Sequence, residues 1–227
     1  MRRAAAVTGG DAFDDAGPVV LNAHARRASA HVLAPLARAL LRMGVSPNAV
    51  TVFGTVGTVV AAFACYPFGL LFPGSAIIAV FVLSDMVDGT MARMSGRTTT
   101  WGAYLDSTLD RVGDAAIFGG LILWFTGGGD DPVLAAVALF CLVAAMVVSY
   151  AKARAEGLGL TCDVGIAERS DRLLAILVAA GLSGLGVPYI LPVGLWLLAA
   201  ASAFTVWQRM AEVHRQLGAG GRGGARP

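Results

Sequence analysis

Six apolar stretches of near membrane-spanning length, at about 48–66, 73–94, 100–126, 132–157, 170–186 and 188–212, decide what this chain can fold into. A helix needs roughly 20 apolar residues to cross the hydrocarbon core, and in that core its backbone must satisfy its own hydrogen bonds. The expected fold class is therefore an all-α integral membrane protein with six transmembrane helices. Composition agrees, with 56% of the 227 residues hydrophobic and only 14% charged, at a mean hydropathy of +0.70. Soluble domains are not built this way. Three cysteines offer neither a disulfide framework nor zinc spacing, and His24, His31 and His214 lie outside the apolar spans without clustering. A formal net charge of +2 gives no reason to expect a nucleic-acid partner.

Residues 1–24 read as a disordered tail with no apolar core ahead of a cleavage site, so no signal peptide is expected. Over 25–44, Arg26, Arg27, Arg38 and Arg42 mix with Val32, Leu33, Leu36, Leu40 and Leu41. This predicts an amphipathic helix on the membrane surface, ended by Gly44. Ser46-Pro47-Asn48 reads as the next helix start. The six-helix domain is expected over 46–212 and a flexible tail over 213–227. The connectors 67–72, 127–131 and 187–188 carry no Lys or Arg, whereas basic residues gather at the N-terminal region, at 93–97, at 152–172 and beyond 208. That alternation predicts a multi-pass protein of the cell membrane with both termini in the cytoplasm. Gly54/Gly57 and Gly181/Gly184 are spaced for close helix packing or for a homodimer.

Four aspartates, Asp85, Asp88, Asp106 and Asp110, fall inside or at the ends of the second and third spans. Each ionised carboxylate at a membrane helix centre costs roughly 2.5–3.5 kcal/mol, so acids there point to function. Asp85 and Asp88 are i,i+3 and Asp106 and Asp110 are i,i+4, so each pair shares one helix face. The short 93–97 turn suggests that the two helices pack antiparallel, which would bring all four acids into one pocket. Oxygen-only ligands suit Mg²⁺, with Mn²⁺ possible. Two such ions roughly 3.5–4 Å apart clamp the attacking and leaving oxygens of a phosphoryl displacement. Gly89 leaves room for a phosphate against the backbone, Arg93 offers a fixed cation, and Gly102 opens the facing helix. Asp114 continues the row at i,i+4 and reads as the partner of Arg111 or as a group behind the ligands.

The string Asp85-Met-Val-Asp88-Gly89-Thr-Met-Ala92-Arg93, then Gly102-Ala-Tyr-Leu-Asp106-Ser-Thr-Leu-Asp110, matches the signature of the CDP-alcohol phosphotransferases at all eight defined positions. The chain thus resembles that family over about residues 46–212. The resemblance implies six helices, usually a homodimer, and two bound metals. One would be held by Asp85, Asp88 and Asp106, the other by Asp85, Asp106 and Asp110. Asp110 would also be the base that deprotonates the acceptor hydroxyl. Gly89, Ala92 and Arg93 would hold the CDP moiety while CMP leaves.

The segment Ser149-Tyr150-Ala151-Lys152, with Arg172 and Arg209, is similar to the acceptor region of the actinobacterial phosphatidylinositol phosphate synthases within that family. The resemblance implies that Ser149, Lys152, Arg172 and Arg209 cradle the phosphate of inositol phosphate, with CDP-diacylglycerol as donor. Asn48, Ala49, Val50, Thr51 and Thr99 would complete the donor site. Lys152 is the only lysine among 17 basic residues, which favours a specific task. Arg154 and Arg169 read equally well as membrane anchors. Two other functions compete. Phosphatidylglycerophosphate synthase, with glycerol 3-phosphate as acceptor, needs a similar basic pocket. A cation channel or transporter would spread its acids over several spans, whereas these cluster on two.

Overall fold

The Ser46 hydroxyl accepts from the Ala49 amide at 3.2 Å, and Pro47 fills the first helical position, where a missing N–H costs nothing. The helix so started is the second of seven in the computed structural model, which describes residues 33–96, 99–166 and 168–220. α1 covers 33–42, α2 Pro47–Cys65, α3 Leu71–Ser95 and α4 Thr100–Thr126; α5 covers Pro132–Glu156, α6 Arg169–Gly184 and α7 Ile190–Gly220. No strand occurs among the described residues. Gly44 and Gly96, at φ +78° and +63°, supply the left-handed backbone that ends α1 and α3. Thr99 caps α4 by accepting from Gly102 N at 3.0 Å, and Asp131 caps α5 by accepting from Leu134 N at 2.9 Å.

The expected tail 1–24 and the first part of the surface helix, 25–32, lie outside the described residues. Within 33–42 the apolar side of α1 is taken up by protein. Ala37 is fully buried with Val50, Val87 and Met91, and Leu33, Leu40 and Leu41 pack against that cluster. α1 therefore covers the end of the bundle where α2 begins and α3 finishes.

α2 to α7 correspond to the six stretches read from the sequence, but four of them are long and apolar enough to cross a membrane: Pro47–Phe68 (α2 with its 3₁₀ extension), Leu71–Ser95, Pro132–Glu156 and Ile190–Gly218. α4 falls short because it carries Asp106, Asp110, Arg111 and Asp114, and α6 because it has 16 residues and begins with charged ones. The last helix also runs past residue 212, where the flexible tail was expected. Glu212 receives hydrogen bonds from Arg215 at 2.6 Å and Gln216 at 2.7 Å, pairs one turn apart that carry the helix on to Gly220.

The six long helices close into a ring. α2 lies between α3 and α4, α4 packs on α5, α5 on α7, α7 on α6, and α6 returns to α3. This corrects the expectation that α3 and α4 pack on each other; their principal shared neighbour is α2. A shared core fills the ring, with Tyr66, Ile78, Phe118, Leu121, Ile176, Leu191 and Leu195 each at most 2% exposed. The glycine pairs serve packing inside the chain. A Cβ at Gly54 or Gly57 would strike Ser84 or Phe81 of α3, and one at Gly184 would strike the Phe72 backbone. Gly120 on α4 faces the Ala62 carbonyl of α2, with only 2.8 Å left for a Cβ.

Candidate active site

α2 lies between the two acidic helices and packs on both. Asp88, near the end of α3, is 6% exposed and accepts a 2.5 Å hydrogen bond from Thr51 Oγ1 in the first turn of α2. Asp110, in the third turn of α4, meets Arg169 Nη1 at 2.8 Å and Arg111 Nη2 at 3.6 Å. Thr51 and Asp110 line the same small cavity, about 20 Å³, together with Ser84, Thr55, Thr58 and Arg169. Such a volume suits a water molecule. α4 reaches this space through Asp110 and α3 through Ser84, and Asp110 is the one aspartate among its described lining residues.

Asp106 lies one turn before Asp110 and is half-buried. Asp85 lies on α3 one turn before Asp88, and its side chain is outside the described residues. Among the described residues no three acidic, histidine or cysteine side chains form a ready-made metal group. Like charges repel, and Asp88 and Asp110 are each drawn to a separate donor. The donor chemistry nonetheless suits a hard divalent cation. All candidate ligands are carboxylate oxygens on rigid helices, and Thr51 already orients one of them.

Of the expected donor residues, Thr51 lines that cavity. Asn48, Ala49, Val50 and Thr51 form the first turn of α2. Thr99 and Gly102 open α4, and Asn48 Oδ1 stands 3.3 Å from where a Gly102 Cβ would project. Beyond its own helix backbone and chain neighbours, the nearest described atom to a Cβ built at Gly89 is Arg93 Nη1, at 3.7 Å, so this backbone is approachable. Arg93 Nη2 donates to Thr90 Oγ1 at 3.3 Å. Ala92 lies between Thr90 and Arg93 in the same turn.

The expected acceptor residues occupy the adjoining end of α5, α6 and α7. Lys152 pairs with Asp163 at 2.6 Å and Glu156 at 3.9 Å, and its side chain is 42% exposed. Ser149 donates to the Ala145 carbonyl at 3.0 Å. Arg209 donates through Nε to Val164 O at 3.0 Å and through Nη1 to Val148 O at 2.5 Å, so it ties α7 to α5 and to the loop before α6. Gln216 strengthens this tie, donating to Thr161 O at 2.6 Å and accepting from Thr161 N at 3.2 Å. Burial pushes the Cys162 thiol up, while Arg209 and Lys152 pull it down and Asp163 and Glu212 raise it further. Those charges therefore share one neighbourhood.

Two residues gain importance that sequence reasoning did not give them. Arg169, weighed equally as an anchor, bridges Asp110 and Asp114. Asp114 reaches Arg111 as expected, at 3.8 Å, but also Arg169 at 3.3 Å and Arg172 at 3.7 Å. The signal was its i,i+4 step from Asp110; its partners on α6 lie 55 and 58 residues away and carry no local signature.

The CDP-alcohol phosphatidyltransferase family profile matches residues 44–207. The chain is 51% identical over 207 residues to a Streptomyces avermitilis protein named phosphatidylinositol phosphate synthase, covering 88% of this chain and 85% of that one. It is 47% identical over 188 residues to the Mycolicibacterium smegmatis protein of the same name, covering 82% and 85%. Among solved structures it is similar to Mycobacterium tuberculosis phosphatidylinositol phosphate synthase with CDP-DAG bound. There the TM-score is 0.78 at 45% identity, covering 81% of this chain and 94% of that chain. The complex of that protein with manganese and citrate gives a TM-score of 0.77 at 46% identity, covering 80% and 88%.

Proposed function

The chain belongs to the CDP-alcohol phosphatidyltransferase family, and we propose that it transfers the phosphatidyl group of CDP-diacylglycerol to inositol phosphate, releasing CMP and phosphatidylinositol phosphate. The observation that carries the acceptor assignment is the similarity, at 45–51% identity and over most of both chains, to proteins named for that reaction.

In this reading Asp85, Asp88, Asp106 and Asp110 hold two divalent ions, Mg²⁺ or Mn²⁺. The solved relative with manganese supports the choice of cation. When bound, the cations neutralise the pyrophosphate and stabilise charge on the leaving oxygen. Asp110 takes the proton from the acceptor hydroxyl as its oxygen bonds to the lipid-side phosphorus, and the bond to CMP breaks. A carboxylate doing both tasks must balance them, because cation contact lowers its basicity. Gly89, Ala92, Arg93, Thr99 and the Asn48–Thr51 turn bind the donor. Ser149, Lys152, Arg172 and Arg209 bind the acceptor phosphate, with Arg209 acting partly through the backbone ties that fix its place. Asp163 and Glu156 hold Lys152 until the acceptor's phosphate takes their place.

All six helices α2 to α7 span the membrane in this reading. α4 does so despite its charges, because its first turns face the polar space rather than lipid. Basic residues at 93–97, 152–172 and beyond 208 support a cytoplasmic site and cytoplasmic termini. A homodimer belongs to the same reading through the family resemblance.

The test is CMP release from CDP-diacylglycerol by purified protein with Mg²⁺, offered inositol phosphate, inositol or glycerol 3-phosphate in turn. Release with inositol phosphate alone is expected. A preference for glycerol 3-phosphate would overturn the acceptor and keep the class.

A further inference from the structure

Asp114 is 1% exposed, within a helix that carries three other charged residues, and it lies outside the eight-position signature. A buried carboxylate there is costly, and a buried ion cluster rarely stabilises a fold more than apolar residues of the same size. Its contacts suggest another purpose. Oδ1 lies 3.3 Å from Arg169 Nε, and Oδ2 lies 3.7 Å from Arg172 Nη2 and 3.8 Å from Arg111 Nε. Arg169 and Arg172 are i,i+3 at the start of α6, so both project from one face. Asp114 and Asp110 are i,i+4 on α4, and Arg169 spans the two, reaching Asp110 at 2.8 Å. Arg172 is itself 3% exposed, so water cannot take over from a lost partner.

We propose that Asp114 is a positioning residue: its carboxylate holds Arg172 and Arg169 against the acidic row of α4, so that an acceptor phosphate bound by Arg172 delivers its hydroxyl beside Asp110. The assignment rests on the reading of Arg172 as a ligand of the acceptor's phosphate. Three guanidiniums converge on this one carboxylate. Without it they repel one another, and Arg172 loses the anion that fixes its direction. Donor binding draws on Gly89, Arg93 and the first turn of α2 and does not involve this contact.

The isosteric variant Asp114→Asn separates the possibilities. Measured with Mg²⁺ in detergent, it should raise the KM for inositol phosphate about 10- to 100-fold, the usual effect of losing a group behind a ligand, and leave the KM for CDP-diacylglycerol within about twofold. In an Arg172→Ala background the same substitution should add little, because its effect passes through Arg172. Equal rises in both KM values, or a full additional loss in the Arg172→Ala background, would overturn the proposal. If Asp114→Asn does not yield folded protein, Asp114→Glu keeps the charge and displaces it by one methylene. It should raise the acceptor KM severalfold with the donor KM unchanged, and an unchanged acceptor KM would refute the assignment. Failure of the acceptor reading shows separately, as wild-type enzyme that prefers an acceptor without a phosphate.

Discussion

Thr51→Val tests how the site is organised, because Thr51 has a second task beside its place in the donor-binding turn, the orientation of Asp88. The Thr51 hydroxyl has one proton and two acceptors nearby, Asp88 Oδ2 at 2.5 Å and Pro47 O at 3.2 Å. The charged acceptor wins, since charge-assisted hydrogen bonds are about twice as strong. Valine keeps the branched shape and removes the donor. Asp88 is 6% exposed, so water does not replace the lost bond. A hydrogen bond to a charged group contributes about 1.5–3 kcal/mol, or roughly 10- to 100-fold in an equilibrium that depends on it. Asp88 retains at least one other partner, which places the expectation at the lower end, about tenfold. The property affected is divalent-cation affinity, because the hydroxyl aims a carboxylate assigned to bind the cation. Activity measured against Mg²⁺ concentration should therefore show the half-activating concentration rising about tenfold, with the CDP-diacylglycerol KM changing much less at saturating Mg²⁺. Unchanged Mg²⁺ dependence would refute this reasoning and leave Thr51 with its donor contact alone.

Asp110→Asn should lower turnover by about 10²–10⁴-fold, the usual contribution of a general base, while CDP-diacylglycerol still binds; retained turnover would remove Asp110 as base. Lys152→Ala should raise the KM for inositol phosphate far more than for the lipid. Its stability should barely change, because ion pairs as exposed as those to Asp163 and Glu156 contribute only about 0–1 kcal/mol. Equal KM effects on both substrates would return Lys152 to the role of an anchor. Gly184→Ala should lower Tm by several degrees, since forcing a Cβ into the Phe72 backbone costs about 1–3 kcal/mol and outweighs any gain in helix propensity. Gly218→Ala, where no described atom beyond the helix backbone and chain neighbours lies within 4 Å of the added Cβ, is the matched control and should leave Tm unchanged or raised. A fall of equal size in both variants would show that the Phe72 contact is not the cause.

What could be read from the sequence was local. Ser46-Pro47 and Gly44 mark helix ends through the chemistry of single residues, and both boundaries occur where that chemistry puts them. Apolar runs gave the long helices, because a backbone in lipid has few other options. The i,i+3 and i,i+4 spacing of the aspartates placed each pair on one face, since helix geometry fixes that without regard to neighbours. α7 outlasts its apolar pattern because Glu212, Arg215 and Gln216 pair one turn apart along it.

Contacts between distant segments followed no such rule. α2 lies between the two acidic helices, although the short turn joining those helices suggested direct packing, because burial of the whole ring decides which helices become neighbours. Small residues at Gly54, Gly120 and Gly184 permit those approaches, but the partner each one meets depends on the assembled bundle. The same holds for charge. Asp114 could be placed on the row of Asp110 from spacing alone, yet only the return of α6 to that row gives it Arg169 and Arg172. Spacing along a helix is set by covalent geometry and is therefore written in the chain, whereas the pairing of charges 55 or more residues apart depends on how all the helices share one core.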